Sequence, residues 1–321
     1  MSIPARYHLH MRQSDIRGML LVPARTFVMG SDRHYPEERP ARRVAVRSFL
    51  LDIGPVTNAQ FTAFVAATGY ETLAQRAPLA ADYPAADPSR LQPGSSVFVP
   101  PTRACGDPAD WWLYRFGADW RHPAGAGSSI AGRDEHPVVH VAYQDAQAFA
   151  AWTGKRLPTE AEWELAARGG LEREPFAWGA ELEPGGNVLA NYWRGRFPYE
   201  RWSVGGYDRT SPVGLFPPNA LGFLDMIGNV WEWTQDWYAC NEPNSAPCCV
   251  LDNPRGATES ASLEPGDVVR PLGRKVLKGG SHLCAENYCQ RYRPAARHAQ
   301  TIDTSASHIG FRCARDLDAT P

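Results

Sequence analysis

The chain lacks the features that mark a membrane, secreted or nucleic-acid-binding protein. Charged and polar residues occur throughout residues 1–17, and the apolar run that follows, Met19–Val22, is too short for a secretion signal or a membrane span. The formal net charge is only -2, which gives no reason to expect nucleic acid as a partner. We therefore predict a cytoplasmic protein with neither a membrane nor a nucleic-acid partner.

The chain also lacks the regular cysteine spacing of a small secreted protein. Its 7 cysteines are odd in number and unevenly spread, so reduced thiols are the expectation. We interpret Cys105 and Cys313 as structural thiols. Cys240, Cys248 and Cys249 cluster in a loop-like stretch and could bind a metal with a fourth ligand, although no Cys-x-x-Cys or histidine spacing supports such a site.

No internal repeat and no low-complexity linker divides the chain. Glycine and proline number 28 each and tryptophan 11, which predicts short helices, short strands and long ordered loops held by ring packing. Alternating apolar and polar residues predict strands within residues 20–30 and 43–52, and beyond residue 180 we expect mostly loops and small antiparallel strands. One compact α+β domain is the simplest architecture.

Three short helices can be placed from their end signals. Thr57 can cap a helix that ends at Gly69, and a second helix is predicted over residues 144–153. The clearest helix begins after Pro158, where Thr159 and Glu162 form a capping box.

The best candidate for chemistry is a pair of thiols behind two glycines. Gly279 and Gly280 permit positive φ and close backbone approach, and Cys284 and Cys289 follow in an aromatic and arginine-rich stretch that favours thiolate. Side chains five positions apart point roughly 140° away from each other on a helix, so the thiols can converge only in an extended or looped segment. Two thiolates suit a soft, low-coordinate ion such as Cu(I). A disulfide or two buried cysteines is the alternative.

A second candidate site is a glycine-containing turn between two acidic residues. Asp225 and Glu232 bracket Gly228, and main-chain carbonyls in such a turn can join carboxylates in the oxygen-rich ligand set that Ca²⁺ prefers. Solvated acidic side chains beside an ordinary turn are the alternative.

Four motifs give the chain a resemblance to the formylglycine-generating enzymes, the sulfatase-modifying factor family, from about Met19 to Ala314. The motifs are GKRLPTEAEWE at residues 154–164, GNVWEW at 228–233, KGGS at 278–281 with the two cysteines after it, and HIGFRC at 308–313.

This resemblance implies a fold with little regular secondary structure, a duplicated C-type-lectin-like variant, over residues 19–321, with residues 1–18 as an N-terminal extension. It also implies an activity, the O2-dependent oxidation of a cysteine within Cys-x-Pro-x-Arg of a sulfatase to Cα-formylglycine. The alternatives are a non-catalytic peptide- or glycan-binding protein and an iron-dependent sulfur transferase on the same fold. Retention of both thiols favours the oxidase.

The resemblance further implies roles for single residues. Cys284 and Cys289 would hold Cu(I), with the substrate thiolate as a third sulfur ligand and Ser281 beside them. Residues matching the pocket wall or the groups near the substrate peptide are Trp231, Tyr288, Arg291, Ser305 and His308. The alternatives are core packing for Trp231 and Tyr288, a surface salt bridge for Arg291 and a structural imidazole for His308.

Two calcium sites are implied as well. One site would use the side chains of Asp225 and Glu232 and the main-chain carbonyls of Gly228 and Val230, and it is called the second site here because it follows the other in the sequence. The first would use Asn191 and the carbonyls of Tyr192 and Tyr207.

That first site departs from the family pattern. Gly205 stands where relatives often place aspartate, so a carboxylate is missing unless Asp208 replaces it. Cys313 also departs from vertebrate-like members, because its disulfide partner position holds Ala167, and we expect a free thiol there.

Overall fold

A computed structural model describes residues 18–83, 87–203, 205–239, 249–264, 266 and 271–317. The predicted N-terminal extension, apart from Gly18, lies outside these residues, as do Cys240 and Cys248. Within them, the helices are α1 (Asn58–Thr68), α2 (Tyr143–Trp152) and α3 (Glu160–Ala167). The strands are β1 (Met19–Val22), β2 (Arg25–Met29), β3 (Arg42–Val46), β4 (Phe49–Asp52), β5 (Gly94–Phe98), β6 (Trp112–Phe116), β7 (Trp231–Trp237), β8 (Leu251–Asp252), β9 (Arg274–Lys278), β10 (Arg297–Thr301), β11 (Ile309–Gly310) and β12 (Ala314–Asp316).

The three predicted helices form close to their predicted ends. Thr57 caps α1 in a capping box with Gln60, and Gly69 ends the helix with a positive φ of 68°. Thr159 accepts a hydrogen bond from the Glu162 amide at the start of α3, as the sequence predicted. Among the described residues, each helix is too short or too polar to traverse a lipid bilayer.

The two predicted N-terminal strands are each broken into two. Pro23, which has no amide hydrogen to donate, follows the last residue of β1, and Ala24 instead donates to Ser48 Oγ at 2.9 Å. Ser48 lies in the matching break between β3 and β4. Because of the break, β1 pairs with β4 and β2 pairs with β3, and both pairs are antiparallel. These two pairs belong to two different sheets.

The larger of two sheets contains β9, which ends directly before the cysteine segment. The larger has the order β10-β9-β7-β11, with antiparallel pairs except for the parallel β7–β11 contact. In the other sheet, β4 lies between β1 and β12. The remaining pairings are β2-β3-β8 and β5-β6. The architecture is the single α+β domain expected from the sequence.

Helix α3 packs on β2, β3, β7 and β9, and several of its charged side chains are buried. Trp163 is fully buried, as predicted, but Glu160, Glu162 and Glu164 are buried too. Each has a cationic partner within 3.0 Å, and Glu164 has two, Arg168 at 2.6 Å and Lys278 at 3.0 Å. Lys278 ends β9 directly before the Gly-Gly pair, so this buried network fixes the start of the cysteine segment.

Candidate active site at the cysteine pair

The Gly-Gly pair makes the turn that the sequence predicted. Gly279 and Gly280 have φ values of 94° and 71°, a region that costs other residues strain. A Cβ on Gly280 would lie 2.8 Å from the carbonyl oxygen of Arg291. Glycine is therefore required where the segment folds back on itself.

The returning segment brings the two thiols together. Cys284 Sγ and Cys289 Sγ lie 3.3 Å apart as free thiols, because the amides of Tyr288 and Cys289 both donate to the Ala285 carbonyl and close a turn. Cys284 is buried, and its sulfur accepts a hydrogen bond from the Ser281 amide at 3.4 Å. Cys289 is half-buried, so the pair has one inner and one outer sulfur.

The two sulfurs differ in their tendency to ionise. Burial raises the pKa of Cys284 well above its ordinary value. The pKa of Cys289 is lowered, first by the hydrogen bond from the Cys284 thiol and then by the charge of Arg291, whose Nη1 lies 3.7 Å from the sulfur. One proton shared between two sulfurs gives a thiolate and a thiol within reach of one ion, and this donor set fits Cu(I).

Sequence reasoning missed the residues that hold Arg291. Its Nε donates to Glu37 Oε1 at 2.9 Å and its Nη2 donates to the same oxygen at 2.5 Å. The guanidinium also lies 4.0 Å above the ring of Tyr35, whose hydroxyl accepts from the Gln290 amide. No spacing signal could have found Glu37, which is 254 positions from Arg291.

The two aromatic residues predicted to shape the pocket lie in different environments. Trp231, at the start of β7, is buried in the core cluster that also contains Cys284. Tyr288 is 52% exposed and stacks on Phe197 with ring centroids 4.4 Å apart. Trp111 meets the Tyr288 ring edge-on at 6.0 Å, so an aromatic surface extends outward beside Cys289.

Ser305 and His308 lie in the loop between β10 and β11, where their side chains contact Ser95 and Trp112. Ser305 Oγ accepts from Ser95 Oγ at 2.8 Å and also lines a groove of about 710 Å³. The His308 ring contacts the Trp112 ring in a tilted arrangement with centroids 4.7 Å apart, and the His308 carbonyl accepts from the Trp231 amide at 2.9 Å. Burial lowers the pKa of His308 to about 3, and its buried Nδ1 has no hydrogen-bond partner, so the ring is neutral with one unused polar atom.

The second predicted calcium site contains an unpartnered carboxylate oxygen. Asp225 is buried with a raised pKa of about 6, caused by burial, and its Oδ1 has no hydrogen-bond partner. The Glu232 carboxylate, in contrast, accepts from Arg312 Nε and Nη2 at 2.7 Å each and from Trp163 Nε1 at 2.8 Å. A calcium ion here would take its formal negative charge from Asp225 alone. Asp225 Oδ1, which has no hydrogen-bond partner, is therefore suited to bind a cation.

The first predicted site holds an arginine side chain. Asn191 Oδ1 accepts from Arg201 Nη2 at 3.2 Å, and Arg201 Nη1 donates to the Asp208 carbonyl at 2.5 Å. The Asp208 side chain is exposed, and Tyr207 packs its ring against His136. A side-chain cation therefore lies among the predicted ligands, and the residues present do not fit a calcium ion.

Several known proteins are similar to the chain over most of its length. Residues 7–317 match the family profile described as the sulfatase-modifying factor enzyme 1-like domain. The chain is 50% identical over 300 residues to a formylglycine-generating enzyme of Mycobacterium tuberculosis, covering 92% of this chain and 96% of that protein. It is also 34% identical over 310 residues to an inactive Cα-formylglycine-generating enzyme 2 of Bos taurus, covering 94% and 89%. The solved structure of PvdO from Pseudomonas aeruginosa is similar with a TM-score of 0.60 at 26% identity, covering 93% of this chain and 94% of that one.

Proposed function

Because the chain belongs to the sulfatase-modifying factor family of formylglycine-generating enzymes, we propose that it converts a sulfatase cysteine to Cα-formylglycine. The cysteine would lie in a Cys-x-Pro-x-Arg motif, and O2 would be the oxidant with copper as cofactor. Family membership alone does not decide activity, since an inactive relative is also similar to the chain. The observation that carries the proposal is the pair of free thiols 3.3 Å apart.

The thiol pair would hold the metal. Cys284 and Cys289 offer two soft donors, one of them with a lowered pKa, and Cu(I) bound there would supply electron transfer to O2. Ser281 would keep Cys284 in place through its amide hydrogen bond to the sulfur. Arg291, itself held by Glu37, would favour the ionised form of Cys289.

The substrate peptide would approach along the exposed side of the pair. Tyr288 presents a half-exposed ring beside Cys289. The groove of about 710 Å³ that Ser305 lines has neither Cys289 nor Tyr288 in its wall. Trp231 and His308 would form the inner wall, where packed rings and a neutral imidazole exclude water. The half-buried Cys289 is therefore the sulfur that a peptide cysteine would meet first.

The direct test is incubation of the protein with a Cys-x-Pro-x-Arg peptide, Cu(I) and O2, followed by mass analysis. We expect the aldehyde form of the peptide cysteine, and no product when either copper or O2 is left out. Peptide binding without any oxidation, at full copper loading, would favour the non-catalytic binding protein instead.

A second prediction concerns how the substrate meets the metal. If the substrate thiolate is a third sulfur ligand, a peptide with Ser in place of Cys should bind at least about tenfold more weakly in the presence of Cu(I), because a hard hydroxyl does not replace a soft thiolate. Metal-free protein should discriminate much less between the two peptides. Anaerobic titrations of both peptides with and without Cu(I) measure the difference. A Cys-over-Ser preference that copper leaves unchanged would contradict thiolate coordination.

We also propose one calcium ion at Asp225, with the Gly228 and Val230 carbonyls, on the strength of the unpartnered Asp225 oxygen. A cytoplasmic location is proposed as well. Cys284, Cys289 and Cys313 are free thiols, which suits a reducing compartment.

A further inference from the structure

The amide of Asn191 is oriented toward a cation by its own hydrogen bonds. Asn191 is fully buried, and its Nδ2 donates to the Arg209 carbonyl at 2.8 Å and to Ser211 Oγ at 3.2 Å. With both partners on the nitrogen side, Oδ1 points the other way, toward Arg201 Nη2 at 3.2 Å. The oxygen that the calcium prediction assigned to a metal is already bonded to a positive charge.

The same guanidinium reaches the second half of the predicted site. Arg201 Nη1 donates to the carbonyl of Asp208, the residue after Tyr207, at 2.5 Å. The Arg201 guanidinium also lies 5.0 Å from the ring centre of Trp193, a cation–π contact that holds it in place. Arg201 thus joins residues 191–193 to residue 208, the two segments that a calcium ion would have joined.

The charge of the site opposes a metal ion. Gly205 supplies no carboxylate, and the side chain of Asp208 is exposed. Burial lowers the pKa of Arg201 to about 10, the charge of Asp208 opposes this shift and the charge of Arg209 adds to it, so the guanidinium stays protonated at neutral pH. A divalent ion beside Asn191 Oδ1 would be repelled by the Arg201 guanidinium in a partly buried place where this repulsion is weakly screened.

We propose that the guanidinium of Arg201 takes the position predicted for the first calcium ion, so that this part of the chain is held by its own internal cation and binds no calcium. The inference is independent of the proposed oxidation, because it concerns metal content and stability.

The internal cation matters for the cysteine pair. Asn191 and Trp193 belong to one short segment. The Trp193 amide donates to the Cys284 carbonyl at 2.8 Å, and the Asn191 carbonyl accepts from the Asn229 amide at 2.8 Å. Arg201 therefore supports the segment on which the cysteine turn rests, without depending on the calcium concentration.

Metal content gives the first test. After saturation with calcium and removal of the excess, elemental analysis should find no more than one equivalent in the wild-type protein and none in Asp225→Gly, which removes the side-chain oxygens and suits the positive φ of 49° at this position. Two equivalents in the wild type, or one that survives in Asp225→Gly, would overturn the proposal.

Melting in excess chelator gives the second test, with a matched control in the same loop. Arg201→Met leaves Asn191 Oδ1 and the Asp208 carbonyl without their charged donor, and we expect the melting temperature to fall by roughly 5–10 °C. Arg196→Met removes an arginine whose side chain is 75% exposed and should change the melting temperature by less than about 2 °C. Equal melting temperatures for the two variants would show that Arg201 does not act as the structural cation.

Discussion

Replacing either Cys284 or Cys289 with serine is expected to abolish oxidation of a Cys-x-Pro-x-Arg peptide while leaving the fold intact. A single remaining thiolate cannot form the two-sulfur site, and serine offers a hard oxygen to a soft ion. Turnover should fall at least ~10³-fold, as happens when one member of a catalytic unit is lost. Mass analysis of the peptide after incubation with Cu(I) and O2 measures the effect.

An exposed thiol elsewhere in the chain supplies the control. Cys249→Ser should retain wild-type turnover, since Cys249 lies at the surface. The melting temperatures of all three variants should stay close to that of the wild type, because serine is slightly smaller than cysteine and creates no large cavity. Turnover near the wild-type rate in either Cys284→Ser or Cys289→Ser would remove the thiol pair from the mechanism.

Replacing Glu164 with glutamine should cause the largest loss of stability. The Glu164 carboxylate is buried and accepts from Lys278 Nζ at 3.0 Å, Arg168 Nη2 at 2.6 Å and the Gly30 amide at 2.8 Å. Glutamine keeps the shape but leaves Arg168 without its carboxylate partner and Lys278 with only the Glu160 carboxylate, at 3.6 Å. Breaking a buried ion pair in this way costs about 3–5 kcal/mol of the free energy of unfolding. Urea unfolding at neutral pH measures the loss.

This loss should depend on pH in a defined direction. Although burial opposes ionisation, the charges of Lys278 and Arg168 lower the pKa of Glu164 to about 2 from its ordinary 4.5. A carboxylate whose pKa is lower in the folded state stabilises that state fully above pH 4.5 and loses the effect as the pH falls toward 2. The difference in free energy of unfolding between wild type and Glu164→Gln should therefore shrink over that range.

An exposed ion pair provides the comparison for Glu164. The Arg47 and Asp252 side chains pair at 3.2 Å but are 81% and 67% exposed, so Asp252→Asn should cost less than about 1 kcal/mol. If Glu164→Gln proved no more destabilising than Asp252→Asn, or if its effect did not vary below pH 4.5, the buried network would not support the fold as argued.

The parts of the fold that the sequence predicted are those set by neighbours along the chain. The capping boxes at Thr57 and Thr159, the turn at Gly279 and Gly280, and the end of α1 all depend on residues within a few positions. The approach of Cys284 to Cys289 also depends on neighbours, because a separation of five positions lets the single turn at the Ala285 carbonyl bring the thiols together.

The parts that the sequence could not predict depend on charge pairing between distant segments. Glutamate side chains on a helix are usually exposed to solvent. Glu160 and Glu164 on α3 are instead buried, because Arg297 and Lys278 from neighbouring strands neutralise their charges. Glu37 reaches Arg291 across 254 positions, and nothing in either local sequence marks the pair. Arg201 lies near Asn191 in sequence, but no motif distinguishes it from a surface arginine.

The sheet in which β4 lies between β1 and β12 has a consequence for the order of events during synthesis. Strands β1 and β12, the first and last strands of the described residues, both pair with β4. Strand β11, which precedes β12 in the sequence, pairs with β7. Arg312, between β11 and β12, is also the partner of the buried Glu232 carboxylate. Because these contacts join segments far apart in sequence, they form late and slowly. The cysteine turn is thus synthesised before β11 and β12, and the pairing of β4 with its last neighbour waits until translation has passed residue 316.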